Sequence, residues 1–382
     1  MIPYSRQKIF KEDIDSVKKV LRSDFLTAGP QVDIFETELK KKFNSKYATC
    51  VNSATSGLHI ACMALGLTKG DYLWTSGISF VASANCGLYC GAKIDLVDID
   101  VNTFNISVSK LTQKLKLAAK EKKVPKILVV VHMGGNPCEM NEIHKLSIKY
   151  NFKIIEDASH ATGSYYKNYI VGDCKYSDVC VFSFHPVKIF TSGEGGAVLT
   201  NQKKIFQKLS ILRSHGIQKE SKKLKKKKQL DWFYEQQLLG YNYRISDIHA
   251  ALGNSQLKKI ELFTKKRNYI NKIYREKFKN FPIKFQFVEK KDFSSFHLVI
   301  VLFKNQKIRN KIFNHLRKKN YFVNLHYIPI YRHPFYKKFN LNYSAYPNCE
   351  DYYKRALSIP VYYDLKVKEI KEFIEEIKKF LR

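Results

Sequence analysis

Long apolar runs are missing from this 382-residue chain, and none approaches the length of a membrane span. The N-terminus, Met1-Ile2-Pro3-Tyr4-Ser5-Arg6-Gln7-Lys8, has no apolar stretch of the kind that opens a secretory signal. Zinc and redox spacings are missing too. The closest pairs among the eight cysteines, Cys86 with Cys90 and Cys174 with Cys180, fit neither pattern. The cysteines therefore read as free thiols in a reducing compartment, which predicts a cytoplasmic protein without a metal or a membrane partner. No Gly-x-Gly-x-x-Gly follows the first strand pattern, which disfavours a nicotinamide-type dehydrogenase. There are no internal repeats.

Acidic residues are scarce: 34 Asp and Glu stand against 67 Lys and Arg, a net charge of +33. Such a balance invites a nucleic-acid reading. Against it, the lysines are spread over the whole chain rather than gathered on one face. The one dense run, 219–228 (KESKKLKKKK), reads as a solvated loop, so nucleic acid is not the expected partner.

What is present is globular. The hydrophobic fraction of 45% excludes disorder, and the length suggests two domains folded together. Strand and helix patterns alternate through the first half. Strands are expected at 47–51, 72–75, 93–97, 126–131 and 152–155, with helices at 12–21, 32–43, 55–65, 80–89, 108–120 and 139–150. This alternation predicts an α/β layer with a mostly parallel sheet, whose ligands bind at the carboxyl ends of the strands. After Asn201 come a helix at 202–214 and one long, bent helical stretch at 246–278. Short strands at 285–288, 296–303 and 322–325 follow, with helices at 309–319, 350–357 and 367–381. The expected division is a large domain over 1–255 and a smaller α+β domain over 256–382.

One stretch organises the chain. Val179 to Phe182 reads as a short buried strand, the glycines after Ser192 force a turn, and Gly196 to Thr200 reads as the return strand. Between them, Ser183-Phe184-His185-Pro186-Val187-Lys188 sets a single lysine on the connection. Desolvation there would lower the Lys188 pKa and free its amine as a nucleophile; the bland alternative is a surface lysine among many. Ser53-Ala54-Thr55-Ser56-Gly57 lies between a strand and a helix. It reads either as an ordinary N-cap or as an anion site built from free N–H groups. Lys153-Ile154-Ile155-Glu156-Asp157-Ala158-Ser159-His160 puts two carboxylates at the end of a buried strand. Glu156 reads as structural, and His160 as structural or functional.

Ser-Phe-His-Pro-Val-Lys followed by Gly-Glu-Gly-Gly-Ala-Val resembles the cofactor-lysine signature of the DegT/DnrJ/EryC1/StrS family of pyridoxal-phosphate (PLP) nucleotide-sugar aminotransferases. The resemblance runs over essentially the whole chain and implies the PLP-dependent transferase fold of the aspartate aminotransferase type I class. It implies that Lys188 is the catalytic, cofactor-bearing lysine, and that Ala54, Thr55 and Ser183 hold the phosphate. Phe80, in Ile78-Ser79-Phe80, would stack on the pyridine ring, Asp157 would face its nitrogen, and His160 would lie near its hydroxyl. Gly240-Tyr241-Asn242-Tyr243-Arg244 matches the family's other signature, which implies a homodimer in which Asn242 reaches the neighbouring subunit's phosphate. Tyr4 and the segment His326-Tyr327-Ile328-Pro329-Ile330-Tyr331 fall on the substrate side. Gly57 stands where the family commonly has Ala.

The implied partners are a nucleotide sugar, which the positive potential would attract, and L-glutamate as amino donor. SFHPVK with GEGGAV, RSHGI and HYIPIY together most resemble the members that aminate a UDP-4-keto-6-deoxy-N-acetylhexosamine in the pseudaminic acid pathway. Enzymes of the bacillosamine and perosamine type share most of these motifs. PLP sugar dehydratases carry His in place of the lysine, and a basic nucleic-acid-binding protein would account for the charge alone.

Overall fold

The computed structural model describes residues 1–219, 224 and 230–381. Most of the basic run therefore lies outside the described residues. In chain order the elements are β1 (Ile2–Pro3), α1 (Lys11–Leu21), α2 (Pro30–Phe43), β2 (Tyr47–Val51), α3 (Ala54–Ala64), β3 (Tyr72–Ser76), α4 (Ala82–Tyr89), β4 (Lys93–Val97), α5 (Val108–Lys120), β5 (Ile127–Val131), α6 (Met140–Tyr150) and β6 (Lys153–Asp157). A hairpin of β7 (Tyr165–Tyr166) and β8 (Tyr169–Ile170) precedes β9 (Val179–Ser183), β10 (Gly196–Thr200) and α7 (Lys203–Leu212). Then come β11 (Ile217–Gln218), β12 (Glu235–Gln236), α8 (Asp247–Leu257), α9 (Ile260–Lys277), β13 (Lys284–Phe285), β14 (Val299–Leu302), α10 (Gln306–Lys318), β15 (Tyr321–Phe322), α11 (Pro347–Arg355), β16 (Ala356–Ile359) and α12 (Val367–Lys378).

The centre is a seven-stranded sheet in the order β2-β10-β9-β6-β5-β3-β4. Only β10 runs against its neighbours, antiparallel to β2 and β9, so the sheet is mostly parallel as expected. Central strands of such a sheet are covered on both faces, which is why β5 is a continuous buried Ile-Leu-Val-Val-Val. Helices α3 and α4 cover one face, with Leu58, Ile60 and Cys86 in its core; α5 and α6 pack with Leu111, Leu115 and Ile143 on the other. A second, three-stranded antiparallel sheet, β13-β14-β16, is covered by α9, α10 and α12 through Ile270, Tyr274, Ile312, Leu316, Phe373 and Ile377.

Two expectations are corrected. The stretch 246–278 is two helices, α8 and α9, broken at Lys258 and Lys259, because α8 turns to pack on α1 and α2. Asp247 at its start accepts hydrogen bonds from the Gly29 and Gln31 amides, both 2.8 Å, which ties α8 to the beginning of α2. The helix expected over 350–357 stops at Arg355, and Ala356–Ile359 is a buried strand paired with β14. Four apolar residues after a helical pattern carry no period of their own, so only the partner strand reveals them. The strands expected at 285–288, 296–303 and 322–325 are also shorter than their apolar runs.

The N-terminal arm crosses the molecule. β1 pairs in parallel with β15, and the Tyr4 carbonyl accepts a hydrogen bond of 2.9 Å from the Val361 amide. The Ser5 hydroxyl then donates to the Val187 carbonyl at 2.8 Å, beside the central lysine. No helix among the described residues is long and apolar enough to cross a membrane.

Candidate active site

The carboxyl ends of β5, β6 and β9 and the first turn of α3 surround a cavity of about 430 Å³. Tyr4, Ala54, Thr55, Phe80, Asp157, His160, Ser183, Lys188, His326 and Tyr327 all line it. Ten of the eleven singled-out positions, far apart in the chain, thus meet at one place. Asn242 does not. It is exposed, and its carbonyl lies 3.5 Å from the Asn52 side-chain amide.

One end of the cavity is a helix N-terminus. Ser53 caps α3, its hydroxyl accepting the Ser56 amide at 3.1 Å, and leaves the neighbouring N–H groups turned outward. Gly196 keeps this turn accessible: a Cβ there would stand 2.7 Å from the Ala54 nitrogen and 2.8 Å from the Phe182 carbonyl oxygen. Gly57 answers a similar demand one turn on, where a Cβ would press Val181 and Val198 at 3.1 Å, so the helix lies directly on the sheet. Ser183, at the end of β9, adds a hydroxyl to the same end.

A carboxylate stands elsewhere in the cavity wall. Asp157 is buried at the end of β6, and both of its oxygens are held. Oδ2 accepts from the Ser83 hydroxyl at 2.6 Å, and Oδ1 accepts from the Ser159 hydroxyl at 2.6 Å and the Ser159 amide at 3.2 Å. Ser79 extends the chain to Ser83 at 2.7 Å and itself lines the cavity. Glu156, next in sequence, points away. It pairs with His132 at 2.8 Å and accepts from Ser177, the structural role expected of it.

Lys188 lies on the loop between β9 and β10. Its amide closes a turn on the His185 carbonyl at 2.9 Å, and Gly193 and Gly195 carry the chain back through positive φ. Desolvation draws the ammonium down to about 8, against an upward pull from Asp157. The amine is therefore half neutral near pH 8 rather than near 10.5. Lys188 lines the cavity rather than the outer surface of the loop.

The remaining wall is aromatic and imidazole. His160 Nε2 lies 2.9 Å from the Tyr327 hydroxyl with the rings nearly parallel, and the Gly134 amide approaches Nδ1 at 3.4 Å. His326 Nδ1 meets the Ser358 hydroxyl at 2.9 Å, and its ring lies 4.7 Å from that of Tyr4. Burial, and then the nearby Lys188 charge, hold His160 well below its ordinary value and His326 at about 3, so both are neutral. Phe80 is 55% exposed, its ring 5.9 Å from Tyr327, which excludes the core-phenylalanine alternative.

Sequence reasoning missed Ser79, Ser83 and Ser159, the shell around Asp157, and it missed His297. His297 is buried with its ring 4.5 Å from His160, and its Nδ1 makes no hydrogen bond. The only local signal was the pair of serines one turn apart in Ser79-Phe80-Val81-Ala82-Ser83. Nothing in the sequence joins position 297 to position 160.

Comparison with known proteins gives the same picture from outside. The family described as the DegT/DnrJ/EryC1/StrS aminotransferase family matches residues 7–378. The chain is 40% identical, over 99% of both chains, to a UDP-4-amino-4,6-dideoxy-N-acetyl-beta-L-altrosamine transaminase of Campylobacter jejuni subsp. jejuni serotype O:23/36 (strain 81-176). Among solved structures it is similar to Helicobacter pylori PseC, an aminotransferase involved in the biosynthesis of pseudoaminic acid, at 31% identity and a TM-score of 0.90, over 100% of this chain and 99% of that one. It is also similar to the PMP-form of a putative sugar aminotransferase, Spr1654, from Streptococcus pneumoniae, at 27% identity and a TM-score of 0.91, again over 100% and 99%.

Proposed function

The chain belongs to the DegT/DnrJ/EryC1/StrS aminotransferase family, with pyridoxal phosphate as cofactor, and we propose that it aminates the 4-keto group of a UDP-4-keto-6-deoxy-N-acetylhexosamine, taking the amino group from glutamate, as in pseudaminic acid synthesis. The meeting of Lys188, Asp157 and the first turn of α3 around one cavity carries this reading. The likeness to the Campylobacter transaminase supports the substrate.

The residues present fit the cofactor. A helix N-terminus kept clear by Gly196 suits a phosphate, a doubly held carboxylate suits a protonated ring nitrogen, and a desolvated amine suits a carbonyl. When bound, pyridoxal phosphate supplies an electron sink that lets a carbon bearing an amino group release a proton. The first turn of α3, with Ala54 and Thr55, and the Ser183 hydroxyl would hold the phosphate. Asp157 would keep the ring nitrogen charged, Phe80 would cover the ring, and His160, kept neutral, would serve its hydroxyl. Lys188 Nζ would hold the cofactor at its carbonyl and, once free, would take and return the proton at the substrate carbon. Tyr4, His326 and Tyr327 orient the sugar nucleotide. Glutamate and keto sugar use the same lysine in turn. Family dehydratases carry His at that position, and Lys188 favours amination.

Asn242, exposed and outside its own cavity, reaches the phosphate of a second subunit in a homodimer. The exposed side chains of Trp232 and Leu239, on the segment leading to it, support such a contact. All eight cysteines are free, which supports the cytoplasm as the working compartment. The chain divides into the large domain 1–255 and the small domain 256–382.

The test is purified protein loaded with pyridoxal phosphate, given glutamate and then single 4-keto sugars, with products read by mass spectrometry. Amination of a UDP-4-keto-6-deoxy-N-acetylhexosamine is the expected result. Amination of a GDP-4-keto sugar alone would move the reading to the perosamine type, and no amination of any 4-keto sugar would overturn it.

A further inference from the structure

Arg267, on α9, is buried, and neutral oxygens surround its guanidinium. Nη1 donates to the carbonyls of Phe296, His297 and Val361 at 3.3, 3.0 and 2.8 Å, and Nη2 donates to the Ser5 hydroxyl oxygen at 3.2 Å. Desolvation draws its pKa down to about 10 and no carboxylate offsets the burial, yet the group stays charged at neutral pH. Burying an unpaired charge is costly, and an apolar side chain would fill the same space more stably. What the fork does beyond filling space is reach the N-terminal arm.

Ser5, itself buried, turns that fork toward the active site. A guanidinium has donors only, so the Ser5 oxygen accepts from it, and the single Ser5 proton goes to the Val187 carbonyl, 2.8 Å away. That carbonyl belongs to the peptide bond joining Val187 to Lys188. The N–H of the same peptide, on Lys188, donates to the His185 carbonyl at 2.9 Å. Both polar groups of one rigid plane are thus held, and the plane sets the direction in which Lys188 leaves the loop. The arm is held in turn: the Tyr4 carbonyl accepts from the Val361 amide at 2.9 Å, and the Val361 carbonyl accepts from Arg267.

We propose that Arg267, acting through Ser5, is a positioning residue for Lys188: the chain from guanidinium to hydroxyl to carbonyl fixes the Val187–Lys188 peptide and aims the lysine into the cavity. It rests on Lys188 being the reacting lysine of the proposed function.

The residue type suits the task. The planar fork holds the Val361 carbonyl and the Ser5 hydroxyl from two different nitrogens, which the single ammonium of a lysine does not. A charged donor at the head of the chain polarises the Ser5 hydroxyl and so strengthens the last hydrogen bond, to Val187. Ser5 lies 262 positions from Arg267 and 182 from Val187, so this hold on the loop comes from tertiary packing and not from its own sequence.

The test uses the full-length chain freed of cofactor, with acetic anhydride as an amine probe and the Lys188 peptide quantified by mass spectrometry across the pH range. Wild-type Lys188 should reach half its maximal rate near pH 8. Ser5→Ala removes no charge and leaves Asp157, which pulls the lysine upward, in place. A lysine no longer aimed inward is hydrated, so the midpoint should rise to about 9 or above. Capture of pyridoxal phosphate at neutral pH should slow at least about tenfold, because the amine is misplaced. Arg267→Lys keeps the charge but not the fork and should act alike. The double variant should be no worse than the more affected single one, since both act through one chain. Urea midpoints recorded beside these separate positioning from stability. If Ser5→Ala lowers only the urea midpoint, with the acetylation profile and capture rate of the wild type, the proposal is overturned; Ser5→Ala decides alone if Arg267→Lys fails to fold. Wild-type protein that captures no pyridoxal phosphate would count against the proposed function instead, and the acetylation profiles would still decide whether Arg267 and Ser5 aim the lysine.

Discussion

The Ser83 hydroxyl, in the first turn of α4, donates a 2.6 Å hydrogen bond to Oδ2 of Asp157 at the end of β6, joining a helix and a strand that are 74 positions apart. Ser159 holds the other oxygen, so the carboxylate has no freedom to rotate. Substituting Ser83→Ala removes a hydrogen bond to a charged group, worth about 1.5–3 kcal/mol, and should lower kcat roughly ten- to a hundredfold with the fold intact. Steady-state kinetics beside a circular dichroism spectrum checks this; an unchanged kcat would remove Ser83 from the site.

Lys188→Ala should abolish transamination, and turnover at the wild-type rate would end the proposed mechanism. A pH effect follows from the same amine. Its pKa is lowered from 10.5 to about 8, and only the neutral amine is nucleophilic. Capture of pyridoxal phosphate by cofactor-free protein should therefore accelerate as pH rises and level off above about 8, read by stopped-flow absorbance. A rate still climbing steadily at pH 10 would mean that the lysine is not desolvated.

Asn242→Ala should leave a dimer that loses pyridoxal phosphate more readily on dialysis. Sedimentation measures the dimer and absorbance the retained cofactor. A monomer that binds the cofactor fully would count against a ligand shared between subunits.

Gly196→Ala places a methyl group 2.7 Å from the Ala54 nitrogen, between two backbone segments that have no flexible end to yield. It should cost about 1–3 kcal/mol or more, as overpacking does, and lower the urea midpoint together with cofactor affinity. If the midpoint is unchanged, the turn is looser than the packing requires.

Three buried histidines, His160, His297 and His326, sit together with pKa values pressed down by burial first and by nearby charges after it. Unfolded, each takes up a proton below about pH 6.5; folded, His326 resists until about 3. The unfolded state thus binds more protons over this window, and stability falls as pH drops from about 6.5 toward 3. At pH 5 the loss from His326 alone is about 2 kcal/mol. Urea midpoints at pH 7.5 and 5 measure the slope, which should be shallower in His326→Gln.

Much of the large sheet was legible in advance because its strands are short, apolar and spaced by amphipathic helices. The strands at 47–51, 93–97 and 196–200 fall where their apolar runs do. Elements held by a distant partner were not legible. β16 is too short to show a period, and the break between α8 and α9 follows from packing on α1 and α2 rather than from any Gly or Pro. The site divides the same way. Residues in compact stretches, such as Lys188 and Asp157, carry their context with them, whereas Ser83 and His297 matter only through what the fold sets beside them.

The sequence by itself determined which side chains exist to do chemistry, and local sterics determined the strands and turns that carry them: a lysine after a buried strand, a carboxylate ending another, hydroxyls at a helix start. Tertiary structure decided the rest, because a strand's order in a sheet and a side chain's desolvation are properties of what packs against it. It lowered the Lys188 pKa, made Glu156 structural and left Asn242 outward-facing.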